Sequence, residues 1–481
     1  MTTAATALDW RTWRGLAIAF LVLKLVLLVA ARPFMDETYY WLWGQHLALS
    51  YFDHPPLVGW TQALASLLGW NTIGLRAFVL LTLVGDVALL YGFARHIAGA
   101  AWREMFWAST ALFVATPIFF GLTNLALPDH LLVFFALAAI YAFTRFRVTF
   151  EAGIPRWRFL YLAAFAVGLA TLSKYSGALL AACIVLVVVF SPKLRSLFRS
   201  PHLYIAMLIA IVMQTPVLIW NLQHGMASFG FIFGGRRIDG DFDFGGFAGY
   251  LLGFPFVLSP FLLWPLGRFL FARGDGSNLN RLIFWFSTLG FLAASFLTDI
   301  LIHWNAIAYA AVLPFLAAHL RSRVLAVSHF VFGGLVALIL AVNFTLMPVV
   351  ASVTYTDQST ALSYGWEEVV PEIEKIRAER NIGFIATPWY ASAGALAFAM
   401  RDPDVVSLFA GRDAFDYWFD PAAHAGENAI IVADRKRGLT DEIKSQFKSI
   451  RRLKRVDIVR NGYVVERYSI YIARAYAPSI H

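Results

Sequence analysis

The stretch WRTWRGLAIAFLVLKLVLLVAARPFMDETYYWLW, residues 10–43, decides the fold class. Its apolar run, within a candidate span near 14–31, suits a bilayer crossing, which takes about 20 mostly apolar residues. No small-residue cleavage site follows it, so it reads as a retained first span rather than a removed leader. Two acids and a cluster of aromatics come directly after. Working outward, the same pattern recurs. Apolar runs fall near 14–31, 76–97, 104–123, 131–145, 159–173, 176–190, 203–221, 248–267, 282–301, 304–320 and 325–347. The expected fold class is therefore a polytopic α-helical membrane protein of about 11 transmembrane helices.

Composition agrees. Of 481 residues, 59% are hydrophobic and 14% charged, against about 25% charged in a soluble domain. The formal charge of +9 does not point to nucleic acid, because it sits in short loops between apolar runs. The single cysteine, Cys183, lies inside an apolar run, which excludes an internal disulfide and a cysteine metal cage.

The loops orient the chain. With the N-terminus inside, the inner loops hold Arg11 and Arg14; Arg95 and Arg103; Arg145, Arg147, Arg156 and Arg158; Lys193, Arg195 and Arg199; Arg268, Arg273 and Arg281; Arg321 and Arg323. The outer loops hold Arg32, Arg76, Lys174, Arg236 and Arg237. This is the positive-inside asymmetry, and an odd number of spans leaves the C-terminal segment outside. Residues 1–350 are expected to be the membrane domain, with an outer loop over 32–75. Residues 351–481 are expected to be a small soluble α/β domain. There Glu367–Arg380 has helical spacing, Gly383–Thr387 and Asn428–Ala433 read as buried strands, and Val456–Arg467 carries an Asn-Gly hairpin signal.

The unusual polar residues all fall at the outer ends of spans. Ionisable groups at membrane depth are costly and point by default to function. Asp36 and Glu37 follow the first span: either a general base for an acceptor hydroxyl, or solvated acids and a helix cap. Asp129, after Pro128, can hold an acceptor or, with Asp36, a divalent cation; it can equally cap a helix. Lys174 between two apolar runs can bind phosphate as a point charge or snorkel to the interface. Arg236 and Arg237 after two glycines suit phosphate through guanidinium forks or form a solvated pair. His54 can donate to phosphate or serve a turn. Tyr39, Tyr40, Trp41, Trp43 and Tyr51 suit helices lying on the membrane interface, or stacking on a sugar. His224 and His303 stand at the outer ends of later spans.

The run Asp36-Glu37-Thr38-Tyr39-Tyr40-Trp41-Leu42-Trp43 with Asp53-His54-Pro55-Pro56-Leu57 resembles the first outer loop of the bacterial protein O-mannosyltransferase-like superfamily. Within it, the lipid A aminoarabinose transferases and related GT-C membrane glycosyltransferases look most similar. Leu127-Pro128-Asp129, Leu172-Ser173-Lys174-Tyr175 and Trp220–Gly225 are also similar to its motifs. The likeness runs over about residues 10–345; the C-terminal segment matches in position and character alone. It implies a GT-C fold in the inner membrane, a polyprenyl-phosphate-linked sugar donor, a lipid, glycan or protein acceptor, inverting transfer and a periplasmic site. It also implies that Asp36 is the catalytic acid of the first loop, that Glu37 supports it, and that Asp129 is the second loop acid, near acceptor or metal. Lys174, His54, Arg236 and Arg237 are candidates for the lipid phosphate on their chemistry alone. A divalent cation stays open. Two rivals remain: a transporter or flippase, which should show internal repeats and broken spans in matching halves, and an assembly protein working through its C-terminal domain. No repeat is visible.

Overall fold

The computed structural model describes residues 6–234, 244–272, 277–352 and 358–478. Arg236 and Arg237 lie outside the described residues. The chain divides into two compact units.

The first unit comprises residues 1–26, 54–57 and 79–337 and is helical. Four helices of the chain are long and apolar enough to cross a membrane singly: Trp10–Ala30, Ala77–Ile97, Pro128–Glu151 and Arg323–Thr345. Counting two bent pairs, Pro201–Val212 with Thr215–Gln223 and Phe244–Leu258 with Pro260–Leu270, makes up to six among the described residues. Other expected spans are shorter helices, such as Trp157–Ser173 and Ala306–His319. The stretch expected over 104–123 breaks at Thr116, ahead of Pro117, where proline has no N–H to continue the ladder.

The Ala306–His319 helix (AIAYAAVLPFLAAH) is the centre of this unit, with Ala306–Ala317 almost completely buried. Its alanines let the helices over Trp102–Ala115, Pro128–Glu151 and Asn278–Ala294 approach closely. Lipid supplies no hydrophobic drive between helices, so such small-residue packing holds the bundle. Large apolar side chains point outward instead: Val22, Leu81, Val84, Leu208 and Ile211 are all more than half exposed. Exposure of apolar rows along several helices is untenable in water and expected in lipid. The chain is a multi-pass membrane protein.

The second unit comprises residues 27–53, 58–78 and 338–481. Its five-stranded sheet has the order β2-β1-β3-β5-β4, with β1 Phe384–Thr387, β2 Val406–Ser407, β3 Ala429–Ala433, β4 Phe447–Arg460 and β5 Tyr463–Tyr476. Strand β1 runs parallel to β2 and β3; β5 runs antiparallel to β3 and β4. The expected Asn-Gly turn closes the β4–β5 hairpin, with Asn461 and Gly462 both at positive φ (49° and 82°), the geometry of a type I′ turn. The expected helix is observed as Trp366–Glu379.

Residues 32–53 and 58–75 of the first loop belong to this unit. Its helix, Met35–Gln45, packs on Tyr390–Met400 (YASAGALAFAM). Contact is tight at Gly394, where a Cβ would stand 2.8 Å from the Tyr39 backbone nitrogen. The loop aromatics are therefore core, not an interfacial belt. Trp41 and Trp43 are fully buried; Trp41 packs edge-on to Trp70 and Phe398, and Trp43 stacks on Tyr51 at 4.1 Å. Burying such rings contributes more than any other side chain class, and a polar sheet domain this small needs them.

Candidate functional site

In the first unit, Pro128 opens the Pro128–Glu151 helix at its first position and Leu127 is the residue before it. This bears on one reading of Asp129. It is not the cap; it sits within the first turn, where the helix dipole favours a negative charge. Its Oδ1 accepts a hydrogen bond from Lys174 Nζ at 2.8 Å. Asp129 is 3% exposed and Lys174 6%, so Lys174 does not snorkel to water. The lysine is delivered by a chain break: the Trp157–Ser173 helix ends, and Lys174 is extended (φ −155°, ψ 139°) before the turn Tyr175–Gly177. An ammonium has three donors. Among the described residues, Asp129 takes one.

Two expected histidines join this pair electrostatically. Both His303 and His54 act on the Asp129 carboxylate. The segment His54–Leu57 groups with the first unit although its flanks group with the second. Burial first, and the Lys174 ammonium second, hold His303 down at about 4, against the pull of Asp129. His303 is thus neutral at pH 7 and can donate one N–H without competing charge. His224 Nδ1 donates to the Trp220 carbonyl at 2.7 Å and its ring stacks on Trp220 at 4.2 Å.

The second unit holds Asp36 and Glu37, and treats them differently. Asp36 is half-buried in the first turn of Met35–Gln45. Glu37 is fully buried in a two-pronged ion pair with Arg76, Nε to Oε1 at 2.8 Å and Nη2 to Oε2 at 2.7 Å. Glu37 Oε2 also accepts the Phe34 N–H at 2.9 Å. Arg76 donates further to the carbonyls of Leu28, Ala31 and Arg32 at 3.0, 2.9 and 3.1 Å, closing the last turn of the first span. A carboxylate held this way fixes the start of the loop against the end of the first span. Arg76 was legible only as a loop charge.

Tyr39 and Tyr40 are 3% and 8% exposed, a correction to the expectation that they face a sugar or the membrane surface. Tyr39 packs on Tyr390 at 4.7 Å, donates to Asp53, and accepts the Ala414 N–H at 3.2 Å. Asp36 and Asp129, named together as metal ligands, fall in different units. Asp129 is already balanced by an ammonium that a divalent cation would repel. No group of three or more His, Cys, Asp or Glu stands ready for a metal among the described residues, so no step is derived through one.

One buried pair escaped the sequence reading. Lys24 and Asp86, mid-span on the first and second long helices, are fully buried and interact electrostatically. Lys24 also donates to the Phe120 carbonyl at 2.9 Å. The signal was present: one lysine inside LVLKLVLL and one aspartate inside LVGDVALL.

Comparisons with known proteins agree with this architecture. Residues 53–220 match the family described as dolichyl-phosphate-mannose-protein mannosyltransferase; the matched stretch holds His54, Asp129 and Lys174. Over 199 residues the chain is 29% identical to the lipid A galacturonosyltransferase RgtD of Rhizobium johnstonii, covering 40% of this chain and 39% of that protein. The match thus spans about two fifths of that relative's length. The crystal structure of ArnT from Cupriavidus metallidurans bound to undecaprenyl phosphate is similar over 95% of this chain and 98% of that one, with a TM-score of 0.62 and 15% identity. The arabinofuranosyltransferase AftD from Mycobacteria is similar over 99% of this chain and 42% of that one, with a TM-score of 0.50 and 13% identity. The fold is similar to that of ArnT over nearly the whole chain, in keeping with the resemblance carried by the first-loop motif.

Proposed function

We propose that this chain is an integral inner-membrane glycosyltransferase that moves a sugar from a polyprenyl-phosphate carrier to a lipid or glycan acceptor of the envelope. It crosses the membrane about eleven times, with the N-terminus cytoplasmic and residues 351–481 periplasmic. The observation that carries this reading is the buried Asp129–Lys174 pair beside His303 and His54. It is a preorganised cationic donor site at the outer end of a span, in a fold whose relatives are glycosyltransferases.

Transfer breaks the bond between the sugar C1 and the carrier phosphate oxygen and forms a bond from an acceptor oxygen to C1. A single displacement inverts C1. The leaving phosphate gains charge in the transition state, where a fixed cation lowers the barrier most. Lys174 meets that charge, Asp129 holds it aimed, and His303 and His54 are the candidate donors to phosphate oxygens. Arg236 and Arg237 are further candidates for a phosphate on their chemistry alone. For a hydroxyl acceptor, Asp36 is the candidate base that the first-loop resemblance implies. A transporter is disfavoured by the absence of sequence repeats, although Lys24 and Asp86 do stand at mid-span.

The test uses the full chain in proteoliposomes supplied with polyprenyl-phosphate sugars and an envelope lipid extract. Wild type should release free polyprenyl phosphate in step with acceptor glycosylation, and Lys174→Met should lower this by at least about 100-fold. Movement of intact donor across the bilayer without its consumption would sink the reading.

A further inference from the structure

The second unit holds a cavity of about 410 Å³ that the transfer chemistry does not use. Ligand pockets start at about 300 Å³. One wall is aromatic. Trp418 and Phe419 are half-buried, each with one ring face covered: His46 stacks on Trp418 at 4.5 Å and 13°, and His424 on Phe419 at 4.9 Å and 18°. His46 is itself fixed by a 3.2 Å hydrogen bond between its Nε2 and the Pro403 carbonyl. The rim is polar and acidic, with Asp402, Asp404 and Asp420 against the single Arg377. That arginine is 3.5 Å from Asp402, so it partly cancels.

A sugar ring has an apolar C–H face and a belt of hydroxyl donors. Stacked aromatic rings match the first, and carboxylates, which only accept, match the second. The acidic excess repels phosphates and uronates and favours a neutral or amino sugar. We infer that this cavity is a saccharide-binding pocket for a neutral or amino sugar. That the saccharide belongs to the acceptor rests on the transferase reading; the binding itself does not.

The experiment is saturation-transfer NMR on the full chain in nanodiscs, without donor, using glucosamine, methyl glucoside, galacturonate and tetramethylammonium as probes. Glucosamine and methyl glucoside should bind, and galacturonate should bind about tenfold more weakly. Trp418→Ala should weaken both binders about tenfold. Because Trp418 also packs on Phe415, the exposed Asp404→Asn serves as second variant; it should weaken glucosamine several-fold at an unchanged melting temperature. Equal binding of galacturonate, indifference to both substitutions, or displacement of glucosamine by tetramethylammonium overturns the assignment. Because no transfer is needed, any of these leaves the transferase reading standing. Retained binding in a chain that transfers nothing overturns that reading instead.

Discussion

Replacing Glu37 probes the joint between the first span and the loop that follows it. Glu37 is 0% exposed and its partner Arg76 1%. Glu37→Ala removes two charged hydrogen bonds to Arg76 and the acceptor for the Phe34 N–H. It also leaves a guanidinium with no countercharge in a dry environment. Breaking a buried pair by removing one partner costs about 3–5 kcal/mol. Glu37→Gln keeps one acceptor but sets an amide N–H against a guanidinium N–H, so it should fall in the lower half of that range. For a folded body of 150–250 residues the conversion is about 2–4 °C per kcal/mol, so Glu37→Ala should melt about 6–20 °C below wild type. Intrinsic fluorescence of the purified protein in micelles reads this directly. The double variant Glu37→Met, Arg76→Met should recover only part of the loss. A buried pair exchanged for apolar groups is often neutral, but here the carbonyls of Leu28, Ala31 and Arg32 lose their donor. Activity per folded molecule should fall less than in Asp36→Asn, because Glu37 is engaged by Arg76 and the Phe34 N–H. A melting temperature for Glu37→Ala within about 2 °C of wild type would refute the argument.

Lys174→Met strands a buried carboxylate and should cost about 3–5 kcal/mol as well as activity; adding Asp129→Asn should restore stability and not activity, which separates packing from chemistry in one pair of melts and assays. Gly462→Ala forces a Cβ into positive φ at the hairpin tip and should lower stability by about 1–2 kcal/mol, read by thermal unfolding at one pH. Asp413 is held up at about 8 by burial first and by Asp416 next. Its folded value lies above its unfolded one of 3.8, so the folded state binds more protons between those values and stability declines as pH rises from about 4 to about 8. Asp413→Asn should flatten that decline in melts taken at pH 5, 6, 7 and 8; an unchanged slope would assign it to other groups.

The sequence carried local periodicity well and partnership poorly. The first span, the strands at 384–387 and 429–433, and the Asn461-Gly462 hairpin each announce themselves within a few residues, because period, length and turn chemistry are local. Asp129 and Lys174 were each legible as costly charges at span ends. Their pairing was not, since it joins residues 45 positions apart and depends on how helices pack. Glu37 and Arg76 stand 39 apart, which is why a structural carboxylate read as part of the chemistry. The loop aromatics misled for a related reason. Trp and Tyr at a membrane boundary and Trp and Tyr in a core have the same composition, and only the Ala/Gly-rich face of Tyr390–Met400, far along the chain, distinguishes them.

The most direct measurement of the central claim is mass spectrometry of envelope lipids and glycans from a strain lacking this chain, complemented with wild type or with the Asp129→Asn, Lys174→Met pair. The account predicts that one glycoform loses a single sugar mass in the deletion, that wild type restores it, and that the paired variant, expressed and folded, does not. Full restoration by the paired variant, or an unchanged envelope with accumulated lipid-linked precursor, would contradict it.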